Sequence, residues 1–261
     1  MQEPSVYLPF QTIDNCRDLA GMKTASGKSI KPGKLIRAAH LGRADEHDRL
    51  TLENLGISDV VDFRTDWEIM LKPDRKIKNA AHHHDPVYHE TDLKNAAGSQ
   101  LKFVEEAAED SRKMLEAGYR AAIKNPDSIK AWRKYFDILL NAEGGVLFHC
   151  TQGKDRTGLA AALIETALGV GRQDVLDDYM QTNLYMTKAA EEDRMAVMKL
   201  FNRHLSLAEE DIDTYLFAHE DCFQAAEQEI INGWGSWQGY LQDAIGLSDA
   251  EIALLQEKYL A

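Results

Sequence analysis

Gly145-Val146-Leu147-Phe148-His149-Cys150-Thr151-Gln152-Gly153-Lys154-Asp155-Arg156-Thr157-Gly158 is the stretch that decides how this chain folds. Val146, Leu147 and Phe148 make a short continuous apolar run, as in a strand buried on both faces. A polar bend containing Gly153 follows. From Thr157 to Leu168 the residues are apolar nearly all round, as in an interior helix, and Gly169 stands where such a helix stops. Strand, tight loop and helix in this order place Cys150 at a strand end and Arg156 in a first helical turn. The five residues between them can wrap successive backbone N–H groups around a tetrahedral dianion, whose charge then sits on the helix dipole.

The same donors and dipole stabilise a thiolate, so Cys150 is expected to ionise below the pKa of about 8.5 of a free thiol and to act as a nucleophile. Arg156 suits two equatorial phosphoryl oxygens, a planar, bidentate task that lysine cannot reproduce. Thr151, Gln152, Gly153 and Lys154 form the cradle, with glycine permitting the bend. Lys154 is expected as a compact positive charge at the rim. Thr157 is placed to offer its hydroxyl to the sulfur, and His149 to orient the loop through hydrogen bonds.

Outward from the loop, short β-like runs alternate with longer helical stretches. Strands are expected at Lys34–Ala38, Asp59–Phe63, Ala80–Val87 and Gly145–His149, and a helix at Ala44–Leu55 closed by Gly56. The pattern predicts an α/β fold, with a central, mostly parallel sheet flanked by helices and additional helices toward the C-terminus. A helical insertion is expected over about 94–141, broken at Asn125-Pro126-Asp127-Ser128, and an entirely helical part over about 172–261. Ser206-Leu207-Ala208-Glu209 and Ser248-Asp249-Ala250-Glu251 match the capping box. With no Gly/Ser/Pro linker, residues 1–261 are taken as a single domain.

The 261 residues carry 30 Lys+Arg against 43 Asp+Glu, a formal net charge of −13, and 44% are hydrophobic. That is a globular composition whose acidity argues against tracking a nucleic-acid backbone. An anionic ligand must therefore be held by a local feature. Cys16, Cys150 and Cys222 give no disulfide framework. The first residues lack a signal-peptide pattern, and no apolar run approaches a membrane span. A cytoplasmic location is expected, although a secreted chain stripped of its leader would read the same.

His149-Cys150 through Arg156-Thr157-Gly158 resembles the H-C-x5-R-[ST] signature of the cysteine-dependent protein tyrosine phosphatases. The form H-C-x-x-G-K-D-R-T-G is similar to the atypical bacterial tyrosine, dual-specificity and phosphoinositide branch of that superfamily. Asn15-Cys16-Arg17-Asp18-Leu19-Ala20-Gly21 resembles that branch's N-F-R-D-L-G-G opening, and Leu35-Ile36-Arg37-Ala38 its L-x-R-S strand. Asp62-Phe63-Arg64-Thr65 resembles its D-L-R-[ST] strand end, and Asp178-Tyr179-Met180-Gln181-Thr182-Asn183 its D-Y-x-x-T-N helix. Cys16, Ala20 and Ala38-Ala39 depart from it and are expected to alter the pocket wall, and so substrate preference.

The resemblance implies phosphomonoester hydrolysis through a phosphocysteine, without cofactor or metal. Phosphotyrosine in a protein or peptide is the leading substrate, with phosphoinositides or phosphoserine/threonine as the alternative and inorganic phosphate as product. It also implies Asp155 as general acid. Asp62, with Arg64 in the same strand-end motif, is a second candidate for orienting the arginine or the water. Asp127 matches the separate acid loop of other tyrosine phosphatases only superficially and reads as helix-start chemistry. A phosphate-binding module without turnover and a thiol transferase are the rival classes.

Other motifs weigh less. His82-His83-His84-Asp85 alternates faces along a strand and lacks a completing carboxylate pair for a metal. Gly27-Lys28-Ser29 reads as a turn and not as a nucleotide loop. Tyr179, Tyr185, Met186, Trp234 and Trp237 fit core positions better than an apolar entrance.

Overall fold

The computed structural model describes residues 5–88, 111–186, 213–214 and 216–261. Its sheet contains β1 (Val6–Tyr7), β2 (Arg17–Asp18), β3 (Leu35–Ala38), β4 (Ile57–Asp62), β5 (Ala81–His84) and β6 (Gly145–His149), in the order β1-β2-β3-β6-β4-β5. Strands β3, β6, β4 and β5 run parallel, while β1 and β2 add an antiparallel margin. The fold is α/β with a mostly parallel central sheet. β5 ends at His84, short of the expected Val87: the Asp85 amide still donates to the Asp62 carbonyl, but Pro86 has no N–H with which to continue the ladder.

Strand β6 lies at the centre with every residue buried. Its alternation feeds two cores. Val146 and Phe148 join a large cluster with Trp132, Leu159, Phe223 and Leu255, and Leu147 joins a smaller one with Cys16, Ile36, Leu52 and Val60. The period of two thus places one helical layer on each face.

The smaller layer holds α1 (Glu46–Asn54), capped by Asp45 and followed by Gly56 at φ 73°. A short helix absent from the sequence reading, α2 (Asp66–Leu71), follows β4 and starts with a capping box between Thr65 and Glu68. The larger layer is built from α3 (Ser111–Lys124), α4 (Pro126–Asn141), α5 (Asp155–Leu168), α6 (Arg172–Tyr185), α7 (Glu220–Trp234) and α8 (Asp249–Tyr259).

The expected helical tail is interrupted at Gly235 and Gly246, both left-handed, and a π turn spans Tyr240–Ala244. Ser248 and Glu251 do form a capping box. The second expected box, at 206–209, and residues 94–110 lie outside the described residues. Gly27 occupies a turn at φ 80° beneath the Thr24–Lys28 hydrogen bond.

Candidate active site

The loop between β6 and α5 is shaped from below. Gly153 adopts φ 67°, and a Cβ there would stand 2.4 Å from the Ala38 carbonyl oxygen, so only glycine fits. Its own carbonyl accepts hydrogen bonds from Asn15 Nδ2 and Arg37 NH2, both at 3.0 Å, and Asn15 Nδ2 also donates to the Gln152 carbonyl. Arg17 donates to Asn15, and both Arg17 and Arg37 pair with Asp178 on α6. Arg17, Arg37 and Asp178 are completely buried. Segments far apart in sequence therefore knot together under one bend.

Cys150 is buried at the strand end. Burial pushes its thiol up, but the charge of Arg156 and the hydroxyl and amide of Thr157 outweigh that and bring it below the ordinary thiol range. The Thr157 hydroxyl is fully buried and meets no oxygen or nitrogen partner, which leaves it to the sulfur.

Arg156 is gripped by Glu68 of α2, with NH1 and NH2 each 2.7 Å from a carboxylate oxygen. Its guanidinium also lies 5.8 Å from the Tyr88 ring centroid. Glu68 occupies the end-on edge of the fork. Among the described residues Nε has no hydrogen-bond partner, so the edge formed by Nε and NH2 remains for an oxyanion. Burial pushes the Glu68 carboxyl up, but Arg156 and the Thr151 hydroxyl hold it down at about 2.

Asp155 sits beside the arginine, partly exposed. Its Oδ1 accepts from the Tyr119 hydroxyl at 2.5 Å and lies 3.6 Å from Lys154 Nζ. A strand-end cysteine on a lowered thiol, an oriented guanidinium and an adjacent carboxyl are the parts that a phosphocysteine enzyme requires.

The sequence model described as "Tyrosine phosphatase family" matches residues 8–261. The chain belongs to the tyrosine phosphatase family. It is a hydrolase of phosphoric monoesters, and its substrates are phosphorylated. This tyrosine phosphatase is 31% identical over 258 residues to a Cupriavidus necator protein assigned by name to the tyrosine-protein phosphatases, covering 97% of this chain and 88% of that one. It is 30% identical over 264 residues to the triple specificity protein phosphatase PtpB of Mycobacterium tuberculosis, covering 91% and 93%.

Within this tyrosine phosphatase several residues lie elsewhere than the sequence suggests. Lys154 does not stand solvated at the rim. It is 1% exposed, and its Nζ donates to the Phe217 carbonyl at 3.2 Å. Asn183 exchanges two hydrogen bonds with Ala218 and so holds that covering segment in place.

Asp62 does not orient Arg156. Its carboxylate is bound by Arg64, which also pairs with Asp74 at 2.8 Å, and Asp74 lies 3.1 Å from His149 Nε2. Asp62 and Asp74 share the Arg64 guanidinium, and His149 stands beside Asp74 as a second cationic partner. Asp127 lies in the first turn of α4 and pairs with Lys130 at 2.7 Å. His82, His83 and His84 each bond a different partner: the Ile77 amide, Asp59 and the Arg64 carbonyl.

Of the departures from the family pattern, Cys16 is sealed in the smaller core. Ala39 does reach the surface recess beside the loop, which is also lined by Thr12, His40, Arg43, Lys72, Thr151 and Gln152. Tyr179 and Met186 are buried, and Tyr185 stacks on Tyr7 at 4.3 Å.

Sequence reasoning missed Glu68. The signal was present, since Thr65-Asp66-Trp67-Glu68 has the spacing of a capping box just after a strand.

Proposed function

We propose that this enzyme hydrolyses phosphotyrosine in proteins or peptides, with Cys150 as nucleophile. The observation that carries the assignment is the lowered thiol of Cys150 beside an arginine whose orientation is fixed by Glu68. The thiolate attacks phosphorus in line while Arg156 and the loop amides, Thr151 to Lys154 among them, hold the equatorial oxygens. The bond from phosphorus to the leaving oxygen breaks as Asp155 supplies a proton to that oxygen. Water then attacks the phosphocysteine, Asp155 takes the water's proton, and the thiolate departs toward the Thr157 hydroxyl, releasing inorganic phosphate. An aryl ester suits this site because its leaving group is good. His149, with Asp62 and Arg64, acts behind the loop as support.

Phosphoinositides form a second reading. The recess next to Thr151 and Gln152 carries Arg43 and Lys72 alongside one carboxylate, Asp14, a net positive lining that suits a further phosphate group on the substrate. The name of the Mycobacterium tuberculosis relative, triple specificity protein phosphatase, agrees with a range of substrates. Nucleic acid is not a partner on this reading, given the charge of −13. We take residues 1–261 as a single catalytic unit, supported by paired hydrogen bonds between Ser29 and Ala261, and we place it in the cytoplasm. No described helix is long and apolar enough to cross a membrane.

A panel of phosphotyrosyl peptide, phosphoseryl peptide and inositol phosphates, run with wild type and Cys150→Ser, tests the proposal. Phosphotyrosyl peptide is expected to give the highest kcat/KM, and the serine variant to bind without turnover. Turnover surviving Cys150→Ser would end the assignment.

A further inference from the structure

The acid of a two-step phosphatase must hold a proton in the first step and lack it in the second. Asp155 is surrounded by an arrangement that serves both states. Tyr119 on α3 lies 2.5 Å from Asp155 Oδ1, and its hydroxyl lies 2.7 Å from that of Tyr179 on α6. Tyr179 in turn lies 3.4 Å from the His219 carbonyl. Both tyrosine side chains are buried, at 2% and 1% exposure. Nothing about packing alone requires hydroxyls here, because phenylalanine would fill the same space. Among the described residues Oδ2 of Asp155 has no hydrogen-bond partner, so Oδ1 is the anchored oxygen.

We propose that Tyr119 and Tyr179 form a reversible hydroxyl relay that holds Asp155 in each of its two protonation states. When Asp155 is a carboxylate, Tyr179 donates to Tyr119 and Tyr119 donates to Oδ1. When Oδ1 carries a proton, every bond reverses: Asp155 donates to Tyr119, Tyr119 to Tyr179, and Tyr179 to the His219 carbonyl, an acceptor that cannot itself become a donor. No heavy atom need move, and no buried hydroxyl is left without a partner.

The proton balance follows from this. In the first step the Oδ1–H of Asp155 turns from Tyr119 to the leaving oxygen, the proton transfers as the bond from that oxygen to phosphorus breaks, and both hydroxyls turn to donate toward the new carboxylate. In the second, water yields its proton to Asp155 as its oxygen bonds phosphorus, and the hydroxyls turn back. Lys154 faces the same Oδ1 at 3.6 Å, and among the described residues Cys150, Cys222 and Tyr88 also feel the Asp155 charge. None of them closes a chain. Tyr119 and Tyr179 are positioning residues, since neither touches substrate.

The relay rests on Asp155 as the acid, and the experiment separates the two claims. Pre-steady-state bursts with p-nitrophenyl phosphate and steady-state rates with phenyl phosphate are measured for Tyr119→Phe, Tyr179→Phe and Asp155→Asn. Tyr179→Phe keeps the bond from Tyr119 to the carboxylate, losing only the donor behind it, but gives Tyr119 no acceptor in the protonated state. It is expected to slow cysteine phosphorylation by phenyl phosphate about tenfold, while phosphocysteine hydrolysis stays within about twofold of wild type. Tyr119→Phe is expected to slow both steps. Both variants keep their rings, and the activated substrate reports correct folding.

If Asp155→Asn impairs phenyl phosphate selectively but Tyr179→Phe changes neither step, or changes both equally, the relay is wrong and the acid stands. If Asp155→Asn shows no selectivity for the leaving group, the acid assignment itself fails.

Discussion

Glu68 shows how much of the chemistry rests on one carboxylate. It closes the capping box of α2, accepts from Thr151 and fixes Arg156 along one edge of the guanidinium. Glu68→Gln keeps one acceptor oxygen but loses the charge and the bidentate geometry. It is expected to lower kcat/KM about 10- to 100-fold, as partners behind a ligating residue usually do. Steady-state kinetics on p-nitrophenyl phosphate check this, and an unchanged kcat/KM would assign Glu68 to helix capping alone.

His149 gives a second prediction, at the same scale. Burial pushes its imidazole down, but Asp62 and Asp74 outweigh that and raise it from 6.5 to about 8. Because the folded value exceeds the unfolded one, the contribution is complete below pH 6.5 and disappears as pH rises through about 8. Asp74→Asn removes a half of the pair, at a cost of about 3 kcal/mol. Urea unfolding at acid and alkaline pH should show a larger loss at pH 6 than at pH 9, and an equal loss at both would remove the ion pair from the account.

At the scale of elements, the loop is pinned by a backbone conformation and by what stands over it. Gly153→Ala forces a methyl group to within 2.4 Å of the Ala38 carbonyl at positive φ. It is expected to cost more than about 3 kcal/mol and nearly all activity, measured by urea unfolding and p-nitrophenyl phosphate turnover. Folding and activity near wild type would show that β3 yields to the loop.

The strand, bend and helix were legible because burial on both faces leaves Val146–Phe148 of β6 and Leu159–Ile164 of α5 as unbroken apolar runs. Helix α2 was not, since only six residues form it and Trp67, Met70 and Leu71 stay exposed, so no periodic pattern marks it. The rim placement of Lys154 failed for another reason. What buries it is the Phe217 carbonyl, 63 residues further along the chain, and no local signal carries that. Asp62 was correctly placed near the loop, but its partner depended on Arg64 folding back by two residues.

For the whole molecule, two features matter. The C-terminal helix α8 seals the larger core with Leu255 and Tyr259, and the Tyr259 hydroxyl donates to the Leu139 carbonyl. Removing residues 249–261 is expected to cost more than about 4 kcal/mol, given what single buried side chains are worth, and unaltered urea unfolding would show that the sheet holds without this cover. The net charge of −13 opposes any acidic substrate. For an acidic phosphopeptide, kcat/KM is therefore expected to rise with salt as the Debye length shortens from about 30 to about 8 Å. A fall over that range would point to local attraction outweighing the global field.

The knot of Arg17, Arg37 and Asp178 beneath the bend also ties the cradle to sequence synthesised after the nucleophile. A growing polypeptide that has just emitted its nucleophile still lacks the α6 carboxylate that neutralises two arginines and steadies the cradle. In a chain that stops short of α6 the two guanidiniums would face each other beneath the bend without the carboxylate that neutralises them.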